Sequence, residues 1–434
     1  MGGNPEDQKA GRPGTAIAWM AQKGADGRYR LDSALARAEV PRALSWLTNH
    51  WRGVPNIAGI EVPWNEPGGP LTEPAAYSDL VGACADAVKA TDPNRLVFMD
   101  VVDWGAMVNV IPDESVWKLP NNVDVVSPHF YPGMHSGSSG EAGTWSTSMA
   151  NWVSWLAGSG KPVVVGEYGA VEMGRAPYWK SGVSDEQRAT TYAACAAQWY
   201  AQGVQGAFAW AWQGGLQQDD KTGKLSDGAR VLPSWAAAYE NPTPPPLARA
   251  RVAVLCTRER RAAYGAQQDL WKVSDALLDA HLAPFAAILD TQAVADPGVL
   301  QRFDAIIVLT AGLPDAALSA AHHAGKPVYE LPADLAGLDH AVQAIEGLPG
   351  FGKSNLPPNV IVAAGPGQVT VFERKGEAGK VLIRAAIPGA AGRGRLVADD
   401  GTAVYAGDAS ALEHDGFPLE LKPWACVLLV WKQD

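Results

Sequence analysis

Two short segments place a glutamate directly after an apolar run. Asn65-Glu66-Pro67 follows residues 57–62, and Gly166-Glu167-Tyr168-Gly169 follows residues 162–165. Each run reads as a buried strand, so each carboxylate falls where a strand leaves the core. A carboxyl pair at the mouths of two parallel strands suits a double displacement at an anomeric carbon. One group protonates the leaving oxygen while the other attacks the carbon. The first must hold its proton, which a desolvated rim near a second carboxylate favours. The second must stay ionised, which hydrogen-bond donors favour.

Other strand ends carry groups of compatible chemistry: His129 and Tyr131 in Ser127-Pro128-His129-Phe130-Tyr131, and Trp210 and Trp212 in Phe208-Ala209-Trp210-Ala211-Trp212. Each has a plainer reading. His129 is equally compatible with a satisfied core histidine. Trp210 and Trp212 share a strand face, so one of them can simply fill the interior. Glu172 is a second acid near Glu167. Glu61 and Asp100 precede their strand ends and read either as buried and paired or as one-residue errors of register.

The elements that must position these residues alternate as strand and helix. A helical pattern begins near Val40 and leads into the strand at 57–62, followed by a helix at 77–90 and strands at 96–102 and 123–131. A helix near 151–157, a strand at 163–166, a helix at 187–202 and a strand at 204–212 complete the series, with 15–20 a further strand candidate. The run Glu240-Asn241-Pro242-Thr243-Pro244-Pro245-Pro246 is a linker by composition. Beyond it, strands at 251–256, 285–290, 305–310 and 327–331 alternate with helices as in a small doubly wound sheet. From about Asn359, alternating strands with Gly-rich turns predict an antiparallel sandwich. The expected fold class is therefore α/β: a (β/α)8 TIM barrel, a flavodoxin-like α/β domain and a C-terminal antiparallel β-sandwich. The predicted boundaries are 1–240 for the barrel, 241–248 for the linker, 249–355 for the α/β domain and 356–434 for the sandwich.

In the barrel segment the residues resemble a known family. Trp64-Asn65-Glu66-Pro67 is similar to the Asn-Glu-Pro motif ending the fourth strand of clan A retaining glycoside hydrolases, closest to family 5 of the cellulase and mannanase type. The flanks resemble it in order: 46–60, 87–97, Ser127 to Tyr131, Gly166 to Gly169 and Phe208 to Gly214. The resemblance implies a retaining β-glycosidase acting on a β-linked glucan, mannan or related oligosaccharide. Glu66 would be the acid/base and Glu167 the nucleophile. Asn65 would bind the sugar 2-hydroxyl, Tyr131 would hold the nucleophile and His129 would lie beside the acid/base. Trp212, with Trp210 as the other candidate, would floor the cleavage site. The two downstream domains resemble those appended to β-galactosidase-type enzymes, which keeps an exo-acting β-galactosidase-like or β-glucosidase-like activity open. A non-catalytic carbohydrate-binding remnant is the reading from another class.

The family places three βα units before Asn-Glu-Pro, with an arginine and a histidine lining the cleavage subsite. Residues 1–64 supply no candidate for either, so the expectation is an N-terminally truncated barrel that is inactive by itself. No apolar leader is visible at Met1 to Asp7. A secreted or periplasmic location is expected of the longer parent enzyme, and none is assigned to this chain.

Composition narrows the partners. A net charge of −11 without long acidic runs argues against nucleic acid or an anionic membrane as a partner. No apolar run reaches the roughly 18–20 residues that span a bilayer. The 17 tryptophans suit sugar faces, although packing explains most of them singly. Cys84, Cys195, Cys256 and Cys426 lack metal-ligand spacing and read as buried thiols. No metal and no cofactor is expected: no Gly-rich nucleotide fingerprint follows the first strand of the α/β domain. That domain is expected to serve packing or homo-oligomerisation.

Overall fold

The computed structural model describes residues 33–63, 74–102, 118–130, 150–151, 153–169, 185–210, 216–219, 249–258, 269–351, 354–398 and 400–434, with 222, 224–225, 229, 232 and 236. The expected strand at 15–20 and the linker at 241–248 lie outside the described residues. The chain falls into two compact units, Met1–Phe130 with Leu156–Gly166, and Tyr131–Trp155 with Glu167–Asp434.

The first unit opens with α1 (Ala34–His50), capped by Ser33, whose hydroxyl accepts from the Ala36 N–H at 3.0 Å. This helix starts six residues before the predicted Val40 and carries Pro41 within it. Pro41 stands at mid-helix, so α1 forgoes the bond that residue 41 would otherwise give to the Arg37 carbonyl. There follow β1 (Gly59–Val62), α2 (Pro74–Thr91), β2 (Leu96–Val102) and β3 (Val125–Phe130). Strands β1, β2 and β3 pair in parallel. Val62, Val97, Met99, Val101 and Val126 are fully or almost fully buried and make one face of this sheet apolar.

Strand β4 (Val164–Tyr168) continues the parallel order through the bridge of Val163 to Val126, and β5 (Gly206–Ala209) follows it in the five-stranded sheet. Between β4 and β5 runs α3 (Asp185–Ala201). β4 extends two residues beyond the predicted end at Gly166, so Glu167 is a strand residue. Its burial pattern breaks alternation: Val165 and Tyr168 are buried, with half-buried Gly166 and Glu167 between them. β5 is shorter than the predicted 204–212: Val204 precedes it in a turn and Trp210 follows it.

Within the second unit, β6 (Val252–Cys256), β7 (Phe285–Leu289), β8 (Ala305–Leu309) and β9 (Val328–Leu331) form a sheet of order β9-β8-β6-β7. All three of its pairings are parallel. β6, β7 and β8 are buried along their whole length, which is why they read as unbroken apolar runs. The helices α4 (Asp269–Asp279), α5 (Asp290–Ala295) and α6 (Asp315–His323) separate them, and α7 (Leu338–Glu346) follows β9.

The C-terminal region contains β10 (Val360–Gly365), β11 (Gln368–Glu373), β12 (Gly379–Ile383), β13 (Arg393–Ala398), β14 (Ala403–Asp408), β15 (Phe417–Leu421) and β16 (Cys426–Gln433). An antiparallel sheet β10-β11-β16-β13-β14 faces the pair β12-β15 across a core that includes Val369, Val371, Ile383, Leu396, Phe417 and Leu429. β14 was missed from sequence because its Ala, Gly and Tyr residues carry no apolar alternation. The alanine face of α3 (Ala193, Ala194, Ala196, Ala197) packs against Ile361, Ala363 and Phe372 of this sheet. Arg374, just past β11, is buried and ion-paired to Asp275 at 2.9 Å and to Asp279, both on α4.

Candidate active site

Of the predicted site residues, Glu167, His129 and Trp210 are described. Glu66, Asn65, Tyr131 and Trp212 lie outside the described residues. His129 is the penultimate residue of β3 and only 2 % exposed. Its Nε2 stands 3.9 Å from Asp100 Oδ1 on β2. Asp100 is itself fully buried, and its backbone carbonyl accepts from the Tyr77 hydroxyl of α2 at 2.7 Å. Glu61 on β1 accepts from Ser127 Oγ at 3.2 Å. Asp100 is thus buried and paired, and Glu61 is paired but only half-buried. Their signal was present in the sequence, as single acids inside apolar strands.

The phenol of Tyr77 is pushed well above its usual range by burial and then by Asp100, Glu61 and Cys84. Burial pushes the Cys84 thiol up to about 12. Both therefore stay protonated at neutral pH. The four cysteines are free thiols, with Cys84, Cys195 and Cys256 buried and Cys426 half-buried.

Glu167 is half-buried. Its direction follows from its neighbour. The Tyr168 ring meets Tyr192 of α3 edge-on at 5.8 Å and Trp199 at 6.4 Å, so Tyr168 faces the helix layer. Strand alternation turns Glu167 to the opposite face. Burial, followed by Cys195 and Tyr192, raises the Tyr168 phenol.

The rest of the rim is held by close backbone contacts. The Trp210 N–H donates to the Tyr168 carbonyl at 2.7 Å, and the Trp210 carbonyl accepts from the Tyr192 hydroxyl at 2.7 Å. A Cβ on Gly169 would lie 2.1 Å from the Trp210 carbonyl oxygen, so only glycine permits this approach. The Trp210 residue is 42 % exposed, as an aromatic platform must be. Behind β5 and α3 lies a cavity of about 440 Å³ lined by Tyr168, Trp199, Phe208 and Leu216.

Residues 18–215 match the family model described as Cellulase (glycosyl hydrolase family 5). The match to a family 5 glycoside hydrolase domain thus covers somewhat less than half of the chain. Among solved structures it is similar to a β-galactosidase from Rahnella sp. R3, with a TM-score of 0.59 and 13% identity over 99% of this chain and 87% of that one. A β-galactosidase from the haloarchaeon Halorubrum lacusprofundi gives 0.56 at 11% identity, over 95% and 86%. One from Bacillus circulans sp. alkalophilus gives 0.56 at 12%, over 96% and 86%. No curated protein matches the sequence. At these identities the similarity concerns the fold: a TIM-barrel glycosidase fold with a β-rich C-terminal region.

Among the described residues, Glu61, Asp100 and His129 each bring one potential ligand atom within 4.8 Å of the others. The same atoms serve the hydrogen bond from Ser127 and the Asp100–His129 pair. Also among the described residues, no helix is long and apolar enough to cross a membrane.

Proposed function

We propose that this chain is a retaining β-glycosidase that cleaves a β-linked glucan, mannan or related oligosaccharide. The observation that carries the reading is Glu167 on β4, turned away from the helix layer and one residue beyond the glycine that packs against Ser127 and His129. In the first step a Glu167 carboxylate oxygen bonds to the anomeric carbon as Glu66 gives its proton to the leaving oxygen. Water then attacks the glycosyl-enzyme, Glu66 takes its proton, and Glu167 leaves as carboxylate. Asn65 would bind the 2-hydroxyl, Tyr131 would hold Glu167, His129 would lie beside Glu66, and Trp212 or Trp210 would floor the sugar. The domain limits of 1–240, 249–355 and 356–434 and self-association through the α/β domain belong to the same proposal.

An activated 2-fluoro glycoside should label Glu167 covalently, read by peptide mass spectrometry. Glu66→Ala should lose activity on poor leaving groups and recover with azide on good ones. Labelling elsewhere removes Glu167 from the nucleophile role. No labelling, together with sugar binding by calorimetry, supports the non-catalytic reading. The appended α/β sheet and β-domain favour exo-acting β-galactosidase-like or β-glucosidase-like cleavage as the second reading. Single-sugar release from a chain of known length would establish it.

A further inference from the structure

Below the strand ends, Glu61 on β1, Asp100 on β2, and Ser127 and His129 on β3 share one face of the sheet. The register puts Glu61 beside Phe98, Asp100 beside Ser127, and Val102 beside His129, so alternation keeps all four on that face. Asp100, Ser127 and His129 are at most 2 % exposed, where an ionised group is stable only if paired. Two carboxylates within 4.8 Å of one imidazole favour its protonated form. From α2 the Tyr77 hydroxyl donates to the Asp100 backbone carbonyl, and Tyr77 with its neighbour Cys84 remains neutral. Ser127 donates to Glu61. From β4 the facing residue is Gly166, whose added Cβ would lie 2.5 Å from Ser127 Oγ and 2.9 Å from His129 Nε2. The network is therefore seated directly against β4, one residue before Glu167.

We propose that Asp100 and Glu61 are positioning residues that hold His129 as a fixed imidazolium against Gly166 of β4. The two carboxylates lock both the charge and the plane of the ring, and the ring together with Ser127 sets how closely β4 approaches β3. The proposal rests on the glycosidase reading for its catalytic consequence and on geometry alone for the charge state of His129.

The test uses the full chain labelled with ¹⁵N-histidine, with His129→Asn to assign the resonance. In the native protein the His129 ring should titrate above the usual histidine range. In Asp100→Asn its midpoint should fall by about one pH unit or more, the effect of removing an opposite charge at this distance. Glu61→Gln should act in the same direction, and its half-buried position keeps a folded variant in hand if Asp100→Asn does not fold. On an aryl glycoside, kcat should fall by about tenfold, equivalent to one unit of lost charge stabilisation, and the pH profile of kcat/KM should move with the ring. A His129 midpoint unchanged in both variants overturns the proposal. A midpoint that moves while the pH profile stays fixed overturns its catalytic part. Absence of hydrolysis by the native chain counts against the glycosidase reading alone, because the ring titration needs no substrate.

Discussion

Adding one methyl group at Gly166 should separate positioning from mere presence in this site. An alanine Cβ there would meet Ser127 Oγ at 2.5 Å, His129 Nε2 at 2.9 Å and His129 Cδ2 at 3.0 Å. Neither neighbour yields freely. Ser127 gives up its 3.2 Å bond to Glu61 if it rotates, and His129 is packed at 2 % exposure beside Asp100. Restoring an ordinary contact from 2.5 Å then requires a shift of about 0.9 Å between β3 and β4. Overpacking of this kind costs about 1–3 kcal/mol of stability. A displacement near 1 Å at a reacting group costs on the order of 100-fold in rate, or about 2.7 kcal/mol. We expect Gly166→Ala to lose about 100-fold in kcat with a smaller change in KM, measured on an aryl glycoside at 25 °C. Ser127→Ala in the same chain removes the closest contact and should restore kcat to within about tenfold of the single Ser127→Ala variant. A Gly166→Ala enzyme with native kcat and native melting temperature would refute the reasoning.

Two further perturbations probe the second unit. Arg374→Met should cost about 3 kcal/mol at most in urea denaturation, because it removes a buried guanidinium from Asp275 and Asp279 and leaves them paired to Lys375 alone. Both carboxylates remain about one-quarter exposed, which keeps the cost near the low end of the range for broken buried pairs. His281 sits at φ 55° with a ring nitrogen 3.0 Å from the Pro357 carbonyl, and burial lowers its pKa. The unfolded chain therefore binds more protons near pH 6, so its contribution is complete above about pH 6.5 and is lost as pH falls through the lower folded value. The urea midpoint should drop from pH 7 to pH 5, and the drop should be shallower in His281→Asn, a residue that tolerates this backbone.

Much of the framework is local and was legible. Unbroken apolar runs between Gly, Pro and Asn punctuation placed β2 over 96–102 without error, and placed β6 through β9 to within a residue or two at their ends. Parallel strands covered on both faces must be apolar throughout, so the pattern is written residue by residue. Where that pattern fades, the reading faded with it. β14 carries small and polar residues that need only an edge, and α1 extends backwards because the Ser33 cap lies ahead of its apolar stripe. The places of Glu167 and His129 near the ends of β4 and β3 were also legible, since each follows an unbroken apolar run.

The sequence by itself determined which strands exist, their order, and which of them carry an acid, an imidazole or an aromatic ring near the end. Only the tertiary structure decided which of these side chains meet. Glu61, Asp100 and His129 are separated by 39 and 29 positions in the chain and converge because parallel pairing fixes one register across three strands. The contacts of β4 likewise have no local signature: the Tyr168 ring meets Tyr192 and Trp199, and Gly166 lies against Ser127 and His129, only because helix and strand neighbours far away in the chain are brought there by the fold.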